Sequence, residues 1–256
     1  MEKMKTAVIG CGKISDIYLQ NMINRFDILD VVCCAATKVE NAVEKARQYG
    51  IEAWSIEDIL ADKSIELIVN LTPPLSHYEL IKRALLAGKH VFTEKALTSN
   101  MNDAKELIKL ANEKNLYLGC APETFMGGAI QAAKKAVDEG KLGLITGCHA
   151  SINLNISMMY PIFRSLVQRG AGIGMDRGIY FLTALCSILG PIVEVSGFIR
   201  TLDPVRTIHP MGQPDVDEEI IINNENQMVA TIRFAIGALG TLNFNESFAF
   251  CVTFIR

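Results

Sequence analysis

The stretch spanning residues 5–17 constrains the fold more than any other part of the chain. Ala7–Ile9 is an apolar run of strand length, glycines follow at Gly10 and Gly12, and apolar residues then recur at helical spacing. A strand, a tight glycine turn and a helix form the context in which a G-x-G-x-x-G-like run binds the diphosphate of a dinucleotide. The stretch therefore predicts a dinucleotide site, and an ordinary strand–turn–helix connection is the alternative.

The positions of this turn have distinct tasks. Gly10 permits the sharp turn, and Gly12 lets the backbone approach a diphosphate. Ser15 stands in the third position and is small enough for the helix to pack closely on the strand. The start of a helix offers N–H groups and a partial positive charge to an anion. We therefore predict cofactor contacts at Gly10, Gly12, Lys13 and Ile14.

Composition excludes several classes of function. The 256 residues carry a formal net charge of -3 with acids and bases interspersed, so we expect no nucleic-acid-binding face. The chain enters its first strand without a long apolar segment, which predicts no signal peptide. The uncharged apolar run 178–193 contains Gly190-Pro191 and is too short for a membrane span, so we expect no membrane partner.

The positions of the cysteines and histidines favour a reducing compartment and predict no metal site in the protein. The seven cysteines lie mostly inside apolar runs and show no C-x-x-C spacing, which favours reduced thiols in a cytoplasmic protein. The four histidines are scattered along the chain, so we predict no metal site.

Apolar runs of strand length alternate with helical patterns as far as about residue 121. This alternation predicts an α/β fold, a doubly wound parallel sheet with helices on both faces. Ligands of such sheets bind beyond the carboxyl ends of the strands, where the sequence places Gly10, Ala36, Thr72 and Glu94-Lys95. From Pro122 onward, strand-like runs follow one another with short turns, which predicts an α+β domain with an antiparallel sheet. We therefore predict a dinucleotide-binding domain over 1–122 and a substrate and oligomerisation domain over 123–256.

The end of the second strand bears on which dinucleotide fits. Sites selective for NAD place an acid there for the ribose 2′-hydroxyl, whereas this chain reads Ala35-Ala36-Thr37-Lys38. Thr37 and Lys38 can hydrogen-bond and neutralise a 2′-phosphate, and Lys13 adds charge nearby. The sequence thus favours NADP, with NAD possible. The alternative is that Thr37 caps a helix and Lys38 is solvated.

Glu94 and Lys95 form the second informative pair. They stand at the exit of an inner strand, beside the nicotinamide end of a cofactor bound at the glycine turn. A lysine serves as an acid or base only where its site lowers its usual pKa of ~10.4. Taken alone, such a pair is far more often a surface ion pair than a catalytic one.

Several motifs stand in order along the chain: Gly10-x-Gly12-x-x-Ser15, Thr72-Pro73-Pro74 with His77, Ala87-Gly88-Lys89-His90-Val91, Glu94-Lys95, and the glycine-rich segment Gly170–Tyr180. Together they resemble the glucose–fructose oxidoreductase / inositol dehydrogenase / rhizopine-catabolism (Gfo/Idh/MocA) family, in its tyrosine-bearing branch. The resemblance extends from residue 5 to about residue 245.

The resemblance implies a Rossmann domain followed by an α+β domain whose mostly antiparallel sheet is open on one face. It implies that Lys95, Asp176 and Tyr180 are catalytic, with Tyr180 in the place of a proton-relay histidine. It also implies cofactor contacts by Gly10, Gly12, Thr72, Pro73, His77 and Glu94. The alternatives are that Asp176 N-caps the helix that follows and that Tyr180 is a half-buried core residue.

The chain departs from the family pattern in three places. Ala96 stands where the family has a proline after the lysine, and Tyr160-Pro161 replaces a histidine-proline pair, so we expect a different substrate contact. The chain stops on the apolar run Ala249–Arg256, whereas relatives continue. We expect either a truncated product or a homo-oligomer whose C-terminal sheet is completed by a partner subunit.

The leading hypothesis is an oxidoreductase that moves a hydride between NADP(H) and a hydroxyl or carbonyl carbon of a sugar, cyclitol or related polyol. In this hypothesis Lys95 hydrogen-bonds the reacting oxygen, Tyr180 relays its proton, and Asp176 holds the lysine ammonium. Two alternatives stay open: glycoside cleavage through transient oxidation, and a dinucleotide-sensing regulator without activity.

Overall fold

A computed structural model describes residues 2–209 and 216–246, apart from the side chain of Met158. The chain forms two compact units that divide between Ala121 and Pro122. The terminal apolar run Ala249–Arg256, on which the expectation of a truncated or partner-completed sheet depends, lies outside the described residues.

The first unit alternates strands and helices: β1 Met4–Ile9, α1 Ser15–Arg25, β2 Leu29–Ala35, α2 Val39–Tyr49, β3 Glu52–Ala53, α3 Ile56–Ala61, β4 Leu67–Asn70, α4 His77–Leu86, β5 His90–Thr93, α5 Met101–Glu113 and β6 Leu118–Cys120. The strands form one sheet in the order β3-β2-β1-β4-β5-β6, and all pairings are parallel. The predicted doubly wound parallel sheet is confirmed.

Strand β1 is buried on both faces. Ala7 and Ile9 pack into a core cluster with Leu85 of α4, whereas Val8 packs into a second cluster with Leu19 of α1. Because helices cover both faces of the sheet, the strand reads as a continuous apolar run instead of an alternating one. This packing explains why the first run was recognisable as a strand.

The strand order brings four carboxyl ends together at one edge. Ile9 at the end of β1 lies opposite Ala35 of β2 and Asn70 of β4, and Asn70 lies opposite Thr93 of β5. The chain leaves the sheet there at Gly10, Ala36, Leu71 and Glu94. The chain runs from β1 toward β2 on one side of the sheet and from β4 toward β5 on the other. Open α/β sheets bind ligands at the point where the strand order reverses in this way.

The second unit contains α6 Gly128–Asp138, β7 Gly147–Asn153, α7 Ile179–Leu189, β8 Ile192–Arg200, β9 Val205–Ile208, β10 Glu218–Ile221, β11 Gln227–Phe234 and β12 Leu239–Asn245. Strands β7-β12-β11-β8 form a sheet in that order, in which β7 and β12 are parallel and the other pairs antiparallel. Strands β9 and β10 form a separate antiparallel pair. The predicted α+β unit with a mostly antiparallel sheet is confirmed.

The two faces of the four-stranded sheet differ. Ala230, Ile232, Leu242 and Phe244 point to one face and pack in a core cluster with Leu189 of α7. On the opposite face the apolar side chains are exposed, among them those of Phe198, Val229 and Leu239. Within the described residues, no helix combines the length and the apolar character that a membrane span requires.

Candidate active site

Gly10 crosses directly over the exit of β4. Its φ is +112°, and a Cβ added to it would lie 2.5 Å from the carbonyl carbon of Leu71 and 2.8 Å from the amide nitrogen of Thr72. Side chains rarely adopt this φ, and carbon atoms in contact are normally about 3.5–4.0 Å apart. Glycine at this position is therefore required by both backbone conformation and space.

Gly12, in contrast, has room for a side chain, because a Cβ added to it would meet open space. Ser15 is buried, and its hydroxyl donates a hydrogen bond of 2.6 Å to the carbonyl oxygen of Gly12, which fixes the turn against α1. Ile14 occupies the N-cap of α1 and, like Lys13, is exposed. The Ser15 amide donates to the Gly12 carbonyl oxygen at 3.1 Å. The apolar side chain of Ile14 cannot cap the helix, so the amides that follow Ser15 in the first turn can face an anion.

Cys11, between the two glycines, keeps this turn free of negative charge. A hydrogen bond with Cys34 and burial both raise the pKa of the Cys11 thiol. The thiol stays neutral near pH 7, so it does not repel a diphosphate.

The exit of β2 carries no carboxylate at positions 36–38. Thr37 and Lys38 are exposed, and Lys38 is the N-cap of α2. The backbone of Lys38 is extended, as is typical of an N-cap residue, so Lys38 and not Thr37 is the helix cap. The structure thus excludes the helix-capping role for Thr37, and the exposed side chains of Thr37 and Lys38 are accessible to a ligand.

A buried network organises the exits of β4 and β5. Asn70 accepts hydrogen bonds from the Thr72 amide at 3.1 Å and from the Thr72 hydroxyl at 2.7 Å. Its own side-chain amide donates to the Thr93 hydroxyl at 3.0 Å. Pro73 then continues in extended conformation into the short 3₁₀ turn Pro74–Ser76. These contacts tie the Thr72-Pro73 segment to the end of the neighbouring strand.

His77, for which the resemblance implies a cofactor contact, is 0% exposed. Its Nδ1 lies 2.6 Å from the carbonyl oxygen of Ala96, and its Nε2 lies 2.7 Å from that of Thr72. Both ring nitrogens are committed to the backbone, so the side chain has no surface left for a direct cofactor contact.

Glu94 is held at both carboxylate oxygens. The Tyr18 hydroxyl of α1 donates to one at 2.7 Å, and the Lys95 amide donates to the other at 3.0 Å. The Glu94 amide in turn donates to the carbonyl of Asn70 at 2.9 Å. Lys95 is half-buried, and the peptide bond between Lys95 and Ala96 is cis. Glu94 therefore links the helix of the glycine turn to the lysine segment.

In the second unit, Asp176 lies in a π-helical turn, Gly174–Gly178, that precedes α7. Gly178, not Asp176, is the N-cap of α7, so the capping alternative for Asp176 is wrong. The Asp176 side chain is 12% exposed, and its Oδ2 lies 3.0 Å from Nε of Arg177. Tyr180 follows as the second residue of α7 and is half-buried.

Close packing explains one glycine of this segment. A Cβ on Gly178 would lie 2.6 Å from the ring of Phe244. The start of α7 thus rests directly on β12, and this contact fixes the segment that carries Asp176 and Tyr180.

Sequence reasoning missed Glu246, which follows β12 and is 1% exposed. Burial, reinforced by the negative charge of Asp176, raises the pKa of Glu246 to about 8. Its only sequence signal was a charged residue after an alternating strand, which is typical of a surface turn. Tyr160, which replaces the histidine of the family's histidine-proline pair, is buried in a cluster with Ile208 and Ile220.

The described part of the chain holds no group of three or more His, Cys, Asp or Glu side chains arranged to bind a metal ion.

Two family models match the chain. The model of an oxidoreductase family with an NAD-binding Rossmann fold matches residues 4–121. The model of the GFO/IDH/MocA C-terminal domain matches residues 130–251.

Individual relatives agree with these models. An uncharacterized oxidoreductase of Schizosaccharomyces pombe is 30% identical over 219 residues, which are 84% of this chain and 58% of the relative. The chain thus spans less than two thirds of that relative's length. A dTDP-3,4-didehydro-2,6-dideoxy-alpha-D-glucose 3-reductase of Streptomyces violaceoruber is 26% identical over 259 residues, 97% of this chain and 75% of the relative.

Among solved structures, the WlbA dehydrogenase of Bordetella pertussis, in complex with NADH and UDP-GlcNAcA, superposes with a TM-score of 0.83. The match covers 97% of this chain and 72% of that one at 22% sequence identity. At this identity the likeness establishes the fold alone.

Proposed function

The chain belongs to the GFO/IDH/MocA family of oxidoreductases with an NAD-binding Rossmann fold, and from this premise we propose its reaction. It transfers a hydride between a nicotinamide dinucleotide and a hydroxyl- or carbonyl-bearing carbon of a sugar, cyclitol or related polyol. Two similar proteins support this substrate class: the dTDP-sugar 3-reductase of Streptomyces violaceoruber and the WlbA dehydrogenase in complex with UDP-GlcNAcA.

One observation carries the proposal. The exits of β1, β4 and β5 lie at one edge of the parallel sheet, and they carry Gly10-x-Gly12, Thr72-Pro73 and Glu94-Lys95 respectively. Gly12 faces open space, and α1 begins there without a side-chain cap. These residues fit a dinucleotide diphosphate at the turn and its nicotinamide toward Lys95.

When bound, the nicotinamide supplies or accepts the hydride. We assign the proton chemistry to this chain's own side chains, following the resemblance. Lys95 donates a hydrogen bond to the reacting oxygen, and Tyr180 takes up or supplies its proton. Asp176 is the third catalytic residue that the resemblance implies.

NADP fits the exit of β2 better than NAD. Lys13, Thr37 and Lys38 are exposed, and positions 36–38 offer no acid to repel a 2′-phosphate. Cysteines 11, 33, 34, 120, 148 and 186 are free thiols, which favours a reducing, cytoplasmic location.

We also infer that a second copy of the chain covers the exposed face of the four-stranded sheet. Phe198 is 86% exposed, and Val229, which pairs with it across the strands, is also exposed. Apolar patches of this kind mark interaction sites, and a homo-oligomer would bury them.

Calorimetric titration with NADPH and with NADH, followed by a sugar and polyol panel monitored by nicotinamide absorbance, tests the proposal. We expect saturable binding that favours NADPH and turnover with at least one substrate. Sugar release without net absorbance change would instead support glycoside cleavage. Tight binding without turnover would support a regulator, and no binding would contradict the proposal altogether.

A further inference from the structure

His77 opens α4 and joins two segments that sequence reasoning treated separately. Its Nε2 meets the carbonyl of Thr72, in the segment after β4, and its Nδ1 meets the carbonyl of Ala96, directly after Lys95. Both distances are those of strong hydrogen bonds. The ring is fully buried, so no water competes for either nitrogen.

The chemistry of the two partners constrains the ring. A carbonyl oxygen only accepts, and a neutral imidazole has only one N–H donor. In a neutral ring, one nitrogen lone pair would face a carbonyl oxygen at 2.7 Å or less inside a dry site. A ring that carries a proton on each nitrogen donates to both carbonyls, and these two charge-assisted hydrogen bonds have to offset the cost of burying the cation.

The segments that His77 joins are also tied from the other side. Asn70 binds Thr72 through two hydrogen bonds and receives one from the Glu94 amide. Asn70 therefore links the starts of the two segments, and His77 links points further along each of them. Together they close a ring of hydrogen bonds around the exits of β4 and β5.

We propose that His77 is a positioning residue that donates from both ring nitrogens and so aligns the Thr72-Pro73 segment with the Lys95-Ala96 segment. The proposal rests on the proposed function, because it assigns the dinucleotide to the first segment and the reacting oxygen to the second. It replaces the direct cofactor contact that the family resemblance implied.

Two substitutions separate the two hydrogen bonds. The amide of asparagine reaches about as far as Nδ1, so His77→Asn retains the bond to Ala96 and loses the bond to Thr72. The amide of glutamine reaches about as far as Nε2, so His77→Gln retains the bond to Thr72 and loses the bond to Ala96. Each variant removes one charge-assisted hydrogen bond, whose loss changes an equilibrium or rate on the order of tenfold or more.

The readouts are the dissociation constant of NADPH and kcat. We expect His77→Asn to raise the dissociation constant about tenfold or more with kcat near that of the unaltered protein. We expect His77→Gln to lower kcat about tenfold or more with little change in NADPH affinity. His149→Gln, which replaces an exposed histidine bonded to Thr241, is the matched control and should change neither. Equal effects of both His77 variants on both quantities would overturn the division of roles.

A second measurement requires neither turnover nor a folded His77 variant. Nitrogen-15 NMR of the histidine rings near neutral pH distinguishes protonated nitrogens from those with a free lone pair. The chain has four histidines, so substitution of His90, His149 and His209 assigns the signal of His77 by elimination. We expect both His77 nitrogens to be protonated. A free lone pair on either would refute the two-donor arrangement even if the protein binds NADPH, whereas two protonated nitrogens without NADPH binding would refute the proposed function alone.

Discussion

Alanine at the two glycines of the first turn should have opposite consequences. At Gly10 the new Cβ would lie 2.5 Å from a backbone carbon of Leu71, and φ is +112°. Unfavourable backbone conformations cost about 1–3 kcal/mol, and overpacking costs about the same again. We therefore expect Gly10→Ala to lower the free energy of unfolding of the first unit by about 2–6 kcal/mol.

At Gly12 the same methyl group meets open space. We expect Gly12→Ala to change the free energy of unfolding by no more than about 0.5 kcal/mol. Because the methyl group would project where a diphosphate approaches the backbone, the affinity for NADPH should fall about tenfold or more. The pair thus separates a folding requirement from a binding requirement within one turn.

Urea unfolding followed by tryptophan fluorescence measures the first effect. Trp54 is the single tryptophan of the chain and packs against the core of the first unit, so its signal reports that unit. Calorimetric titration with NADPH measures the second effect. A Gly10→Ala variant as stable as the unaltered chain would contradict the folding requirement at Gly10, and unchanged NADPH affinity in Gly12→Ala would contradict the binding requirement at Gly12.

Three further substitutions test other parts of the account. Lys38→Glu should reverse the preference for NADPH over NADH in calorimetric titrations, because a carboxylate repels the 2′-phosphate. Lys63→Glu, which changes an exposed lysine before the start of β4, should leave this preference unchanged. Between pH values equal to its ordinary pKa and about 8, Glu246 binds more protons in the folded than in the unfolded state. The free energy of unfolding should therefore fall as pH rises through this range, by at most about 5 kcal/mol. Glu246→Gln should remove most of this dependence in urea unfolding series monitored by circular dichroism, and an unchanged pH slope would contradict the assignment. Phe198→Glu should shift sedimentation toward the monomer, whereas Leu144→Glu, equally exposed at 86%, should leave the oligomer intact.

The parallel sheet and its glycine turn were predictable because their signals are local. A buried strand such as β1 is apolar on both faces, and the glycine spacing after it depends on only a few consecutive residues. The same holds for Ser55: its spacing from Asp58 is that of a helix cap, and the Asp58 amide donates to the Ser55 hydroxyl at 3.0 Å. In these cases the physical cause and the sequence pattern lie within one turn of chain.

The roles of His77 and Glu246 were not predictable in this way. Which carbonyls face a histidine ring depends on how two strand exits approach each other, and the Thr72 and Ala96 carbonyls lie 5 and 19 residues from it in sequence. Glu246 reads as a surface residue, yet it is buried close enough to Asp176 for that charge to raise its pKa. Tyr160 likewise carries no sequence signal that distinguishes a substrate contact from a core residue.

The kinetics and NADPH affinity of Lys95→Met decide whether this lysine acts on the reacting oxygen. We expect turnover to fall to background while the dissociation constant of NADPH stays within about threefold of that of the unaltered protein. Lys105→Met, an exposed lysine on α5, should leave both quantities unchanged. Retained turnover in Lys95→Met would contradict the claim that this lysine acts on the reacting oxygen.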